Sequence, residues 1–187
     1  MAVDATLETQ VLKWISADPD PVTREEATSL LNAMHQGDAS AEANLRDAFS
    51  GRLTFGTAGL RAELGAGPAR MNRVVVSQTS AGFAAFLLER AAQGGASNPP
   101  SIVIGYDGRV NSDVFARDTA EIMAGAGLSV ILLPKPLPTP VTAFAVRHLN
   151  VSAGVMVTAS HNPPRDNGYK VYLGDADAGS QIIPPVD

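Results

Sequence analysis

The 187-residue chain contains no cysteine, so neither a disulfide framework nor a thiolate metal site is available to it. Lysine is nearly as scarce: of 14 basic residues only Lys13, Lys135 and Lys170 are lysines, which makes the placement of each worth following. No uninterrupted apolar run approaches the roughly 18–20 residues that a membrane span needs. The opening MAVDATLETQ is acidic where a signal peptide would be basic and then apolar. A soluble, cytoplasmic protein with no membrane partner is therefore expected. The formal net charge is −5 and the positive residues are scattered, whereas a nucleic-acid binder concentrates them to displace counterions, so a polynucleotide partner is not expected. The chain also lacks a G-x-x-x-x-G-K-[ST] phosphate loop, a G-x-G-x-x-G dinucleotide turn, a G-x-S-x-G nucleophile elbow and an H-E-x-x-H pair. A nucleotide-dependent kinase, a dehydrogenase and a serine hydrolase each lose their best support.

What is present suits one α/β core with additional helix, since 45% of the residues are hydrophobic. Residues 1–50 read as a helical arm: Val11, Trp14 and Ile15 share a helical face, and Thr23-Arg24-Glu25-Glu26 matches a capping box. Trp14 is a packing anchor in this reading. From about residue 70, helices alternate with short apolar runs. Val76, Phe83, Leu87 and Ala91 mark one helix, stopped by Gly94-Gly95 and Pro99-Pro100. Phe115, Thr119, Ile122, Met123 and Ala126 mark a second, and Thr139-Pro140 opens a third over 140–149. Between them, residues 101–105, 130–133 and 154–157 read as strands buried on both faces. Asn167-Gly168 is a turn dipeptide, and 168–173 alternate as a half-buried strand, antiparallel at the sheet edge. The order predicts an α/β fold: three layers, α/β/α, around a mostly parallel mixed sheet.

Ligands of open α/β sheets gather beyond the carboxyl ends of the strands. There the chain places Thr158-Ala159-Ser160-His161-Asn162-Pro163-Pro164-Arg165-Asp166-Asn167-Gly168, with Lys170 following. A stiff loop that offers a hydroxyl among cations and amides suits phosphate transfer, because a phosphoserine carries a charge of about −1.5 to −2 that fixed positive groups stabilise. The residues read equally as a turn serine, a hydrogen-bonded histidine and a lysine on the wet face of a strand.

The string TASHNPPRDNGYKVY closely resembles the phosphoserine loop of the α-D-phosphohexomutases, the phosphoglucomutase and phosphomannomutase family. Gly56-Thr57-Ala58-Gly59-Leu60-Arg61 resembles that family's glycine-rich signature, and similarity runs on through Gly105-Tyr106-Asp107-Gly108-Arg109 and the Pro134–Pro140 segment. It covers roughly residues 50–187. The helical arm and the Arg-Asp-Asn-Gly-Tyr-Lys wording look most like the bacterial phosphoglucomutase and phosphopentomutase-like subgroup. The resemblance implies a first domain over 51–187, with the family's later domains absent. It makes Ser160 the phosphate carrier, Lys170 an aid to proton transfer and charge balance, and Arg61 the arginine that approaches the phosphoserine. His161 and Asn162 would shape the loop and its phosphate contacts, and a Ser160 oxygen would be one magnesium ligand, the other ligands coming from the second domain.

The implied reaction interconverts sugar 1-phosphate and 6-phosphate, of glucose or mannose, through a sugar 1,6-bisphosphate, with pentose phosphates as an alternative substrate. Sugar phosphates and the remaining domains are the implied partners, and the isolated domain is expected to be inactive. Two other classes stay open: a short non-catalytic sugar-phosphate binding or regulatory protein, and a stand-alone phosphoacceptor module. Asp107 and Arg109 read as a structural pair that holds the loop. Gly174-Asp175-Ala176-Asp177-Ala178-Gly179 resembles the family's metal loop but lacks its arginine, and reads as a solvated hairpin tip.

Overall fold

The computed structural model describes residues 5–94, 98–174 and the backbone of 181–182. Three helices come first: α1 (Ala5–Ala17), α2 (Pro21–His35) and α3 (Ala39–Ala48). The starts of α2 and α3 are fixed locally by aspartates rather than by the Thr23 capping box. Asp20 accepts from the Val22 amide ahead of Pro21, and Asp38 accepts from the amides of Ser40 and Ala41. Thr23 lies inside α2, and its hydroxyl donates to the buried carboxylate of Asp18. Leu7, Val11, Ala27, Leu31, Met34 and Leu45 form the arm's own apolar cluster. Trp14, edge-on to Phe49 with ring centroids 6.0 Å apart, packs against both this cluster and the main core, as a packing anchor should. The Glu26 carboxylate, accepting from the Ala66 amide at 3.0 Å, ties the arm to the body.

Among the described residues the body is an α/β sandwich of six strands and three more helices. In chain order these are β1 (Leu60–Glu63), α4 (Arg73–Gln93), β2 (Ser101–Tyr106), α5 (Ser112–Gly125), β3 (Ser129–Leu132), α6 (Thr139–His148), β4 (Ala153–Val157), β5 (Asp166–Leu173) and β6 (Gln181–Ile182). The sheet order is β1-β5-β4-β2-β3, with β6 paired to the end of β5. β3, β2 and β4 run parallel, while β5 is antiparallel to β4, β1 and β6. The expected α/β class with a mixed sheet is thus what the chain forms.

Register sorts the side chains onto two faces. Leu60, Tyr169, Val171, Val155, Val157, Ile102 and Ile104 share one, where α4 and α5 pack their stripes of Val75, Val76, Phe83, Leu87, Phe115 and Met123 into the main core. Val103, Met156 and Tyr172 face the other way, onto Ala145 and Val146 of α6. Among the described residues that second layer is a single helix, and it lies against β2 and β4 more than against β5. The β1–β5 end of this face is left to loops.

Several local expectations need correction. β5 is not an edge strand: β1, which the sequence reading missed, pairs outside it, so β5 is buried on both faces. Asn167-Gly168 belongs to β5 rather than to a turn. Conversely, β3 is not buried on both faces; it is the edge of the sheet, with Ile131 and Leu132 exposed. In the helical stripes, Ala126 is exposed and just beyond α5, and Ala91 is only partly covered. α6 begins at Thr139 rather than Pro140, Pro138 being its cap. Asp175, Asp177 and Gly179 of the acidic hairpin-tip reading lie outside the described residues.

Candidate functional site

β2 and β4 are adjacent parallel strands, with Tyr106 opposite Val157, so the residues that follow them emerge side by side at their carboxyl ends. Asp107 accepts from the Thr158 hydroxyl at 2.6 Å through one oxygen, and from the Ser112 hydroxyl and Arg109 amide through the other. The Thr158 oxygen in turn accepts from the Ser160 amide at 2.9 Å. This chain of bonds fixes the start of the serine loop to the end of a neighbouring strand.

Ser160 is exposed and takes φ 57°, a left-handed backbone that costs a non-glycine residue about 1–2 kcal/mol and persists only where the surroundings hold it. Arg109 is the main restraint. Its Nη1 donates to the carbonyls of Pro163 and Asp166, and its Nη2 to those of Ser160 and Asn162, at 2.7–3.0 Å. Its Nε faces Asp107 at 3.5 Å. The geometry matches the expectation of an Asp–Arg pair holding the loop. The sequence reading did not anticipate that Thr158 links this pair to the serine; two polar side chains following adjacent parallel strands were the available signal.

Arg61 and Lys170 lie on the same face, the one α6 covers only in part. Arg61 pairs with Gly168 across β1–β5, and Lys170 is two residues further along β5. Gly168 is what permits the approach. A Cβ there would lie 2.9 Å from Arg61 Cγ, 2.5 Å from the Leu60 carbonyl oxygen and 2.8 Å from that of Thr158, so only a bare Cα lets the arginine cross β5. Just before β1, Gly56 and Gly59 exchange backbone hydrogen bonds around Thr57-Ala58. Gly59 has φ 83°, and a Cβ there would run into the Tyr169 carbonyl. The glycine-rich signature is therefore a tight turn pressed onto β5 beside Lys170.

Arg61 reaches the loop: its Nη1 donates to Asn162 Oδ1 at 3.2 Å, and Asn162 Nδ2 donates onward to Asp166. Its Nε is buried and has no hydrogen-bond partner among the described residues. An unpaired buried donor costs stability, and this one belongs to a cation beside the loop that carries the serine. Lys170 is 8% exposed, and burial first, then the neighbouring Arg61 charge, lowers its pKa from the ordinary lysine value. His161 is exposed, with Nδ1 3.5 Å from the Ser160 hydroxyl, a long contact. The five residues singled out in the sequence thus come from β1, the serine loop and β5 to one end of the sheet. Direct contacts join Arg61 to Asn162 and Ser160 to His161, while proximity in charge links Lys170 to Arg61.

The site offers little to a metal ion by itself. Asp107 and Asp166 already accept hydrogen bonds within the loop scaffold, and no cluster of three His, Asp or Glu side chains occurs among the described residues. Nor is any described helix long and apolar enough to cross a membrane.

Comparison with known proteins agrees with this geometry. Residues 52–186 match the model of phosphoglucomutase/phosphomannomutase, alpha/beta/alpha domain I. A Haemophilus influenzae protein named as a probable phosphomannomutase is 64% identical over 63% of this chain and 23% of its own length. Mouse phosphopentomutase is 38% identical over 100% of this chain, arm included, and 29% of its own length. A crystal structure from Thermus thermophilus, described as that of a phosphomannomutase, superposes with a TM-score of 0.59 at 37% identity, covering 70% of this chain and 27% of that one. The chain spans less than a third of the length of these relatives. It belongs to the phosphoglucomutase/phosphomannomutase family, as that family's α/β/α domain I.

Proposed function

We propose that this chain supplies the phosphate-carrying domain of a phosphosugar mutase, with Ser160 as the carrier. The single observation behind the reading is the buried Nε of Arg61, without a hydrogen-bond partner among the described residues, a cationic donor whose side chain is bonded to the loop that displays an exposed, left-handed serine. A phosphoryl group on Ser160 would carry the negative charge that this donor and Lys170 lack.

In the proposed reaction, the bond between phosphorus and the Ser160 oxygen breaks as a sugar-phosphate hydroxyl forms a new bond to phosphorus. The hydroxyl proton leaves to a base, and the serine oxygen is reprotonated. Lys170 suits that last role, because burial makes its ammonium a readier proton donor than a solvated lysine. The resulting bisphosphate returns its other phosphate to Ser160 after turning over, so the net change is a shift between the 1- and 6-positions of glucose or mannose. Pentose phosphate is the second reading, favoured by the match to mouse phosphopentomutase along the entire chain. His161 and Asn162 would shape the phosphate's surroundings.

Magnesium, in this proposal, takes one oxygen from Ser160 or its phosphate. The described carboxylates near the loop are engaged, so its remaining ligands must come from elsewhere in the enzyme. For the same reason the chain alone should be inert as a mutase, and measurable turnover by it in isolation would overturn that part. The decisive test replaces Ser160 with alanine in the full-length enzyme that carries this domain. Interconversion of glucose, mannose and ribose phosphates should fall to background while the fold survives, and intact-mass analysis after exposure to glucose 1,6-bisphosphate should lose the phosphorylated species. Undiminished turnover would end the assignment.

A further inference from the structure

Arg61 and Arg109 both bond to the loop from outside it, and their donor inventories differ. A guanidinium carries five N–H groups and cannot be deprotonated in a protein. On Arg109, four of them reach backbone carbonyls of residues 160, 162, 163 and 166, and the fifth faces the Asp107 carboxylate. No donor is left for a ligand. On Arg61 the Nε is free among the described residues.

We propose that Arg109 is the positioning residue of the serine loop, holding Ser160 in its left-handed conformation and drawing the negative ends of the loop's peptide dipoles toward itself, away from the phosphate. Its consequence for catalysis rests on the reading of Ser160 as phosphate carrier, whereas the positioning itself does not.

Carbonyl oxygens left uncommitted beside a phosphoserine would repel its charge and favour relaxation of the loop. Bound by one rigid, planar cation, they are neutralised together and held at fixed mutual distances. Asp107 completes the device: it faces Arg109 and also accepts from Thr158, whose oxygen receives the Ser160 amide. Both polar groups of the serine's main chain are thereby anchored, N–H through Thr158 and C=O through Arg109, leaving the side chain as the part free to react.

Lysine at this position keeps the charge but has three donors from one nitrogen and cannot span four carbonyls. The test therefore compares wild type with Arg109→Lys and Arg109→Ala in this chain, each with Ser160 or with Ser160→Gly. In the folded variants, the amide-to-Hα coupling and carbon shifts of Ser160 should lose their left-handed signature. The drop in Tm caused by losing Arg109 should shrink in the glycine background, where no strained serine needs holding. A residue that only supported the fold would lower Tm equally in both backgrounds and leave the Ser160 signature unchanged; either result overturns the proposal. Should Arg109→Ala fail to fold, Arg109→Lys gives the same two readouts. In the full-length enzyme, Arg109→Lys should lower kcat by tenfold or more with KM little changed, and the reverse split would count against it. Because the spectroscopic and thermal arms involve no phosphate, their failure sinks the positioning role alone. A Ser160→Ala enzyme that still turns over sinks the phosphate reading alone.

Discussion

Tyr169 and Lys170 are neighbours on β5, yet they serve opposite faces of one sheet. Tyr169 is completely buried beneath α4 and α5, its hydroxyl 3.1 Å from Ser80, which in turn donates to Thr119 at 3.2 Å. Every polar atom of that small network has a partner. Lys170 faces the side that one helix covers incompletely, where burial and the Arg61 charge both work against its own charge. On the first face, alternation produces packing. On the second, the same alternation brings two cations together, one of them bonded to the loop that displays Ser160. The difference teaches that a strand buried on both sides can be optimised for stability on one and left electrostatically unfavourable on the other.

Gly168 is where the faces meet, and its substitution should have the largest effect. Gly168→Ala drives a methyl into the Leu60 and Thr158 carbonyls and into Arg61. It should destabilise the chain by about 3 kcal/mol, near the upper end for overpacking, and separate Arg61 from the loop. Urea unfolding measures the first effect and, on the function proposed above, loss of turnover by the full-length enzyme that carries this domain measures the second; a neutral substitution would mean that β1 and β5 are not pressed together as described.

Tyr169→Phe comes next, and it should touch stability only. Loss of the buried hydroxyl should cost about 1–2 kcal/mol at neutral pH. Burial raises the Tyr169 pKa from 10.0 to about 12, so the folded state holds its proton after the unfolded chain has begun to release it. Stability should therefore fall as pH rises from 10 to about 12, by roughly 2–3 kcal/mol from this residue. Tyr169→Phe should remove that alkaline fall, which denaturant titrations across the range would detect.

The contrast between the faces was only half legible in the sequence. The apolar runs of β2 and β4 and the stripes of α4 and α5 announced the packed face, because burial leaves a periodic trace. β1 was not announced: four residues, Leu-Arg-Ala-Glu, carry too little periodicity to separate a strand from a loop. Missing it made β5 look like an edge and Asn167-Gly168 look like a turn. In fact Asn167 is buried, donating to the Val110 carbonyl and the Ser112 hydroxyl. The site residues themselves stood out through their resemblance to a known loop, but the scaffold beneath them did not. Thr158, Asp107 and Arg109 act together only because β2 and β4 are neighbours, a fact of topology rather than of spacing along the chain.

At Ser160 the expected effect on stability is smaller. Glycine adopts a left-handed backbone without steric cost, so Ser160→Gly should be more stable than Ser160→Ala by about 1 kcal/mol, although both remove the hydroxyl. Equal stability in thermal melts would mean that the loop relaxes out of this conformation in solution, and with it the display of the serine.

The smallest stability effect, and the one that separates the faces most cleanly, belongs to Lys170→Met. Methionine fills similar space without a charge, and the folded state lowers the lysine pKa, so the charged form is penalised by folding. Below the folded pKa both states hold the proton and the penalty is fully present. As pH rises from there toward the unfolded value of 10.5, the unfolded chain binds more protons and stability climbs. Lys170→Met should accordingly be neutral or stabilising at pH 7, by no more than about 1 kcal/mol, and should lack that alkaline climb. Burial raises the Tyr172 pKa as it does that of Tyr169, so it is in a background of Tyr169→Phe with Tyr172→Phe, where both opposing tyrosine titrations are gone, that the climb due to Lys170 should be visible by itself. If Lys170→Met instead destabilises the chain at pH 7 while leaving turnover of the full-length enzyme of the proposed function intact, the lysine belongs with the packed face, and the division between the two faces does not hold.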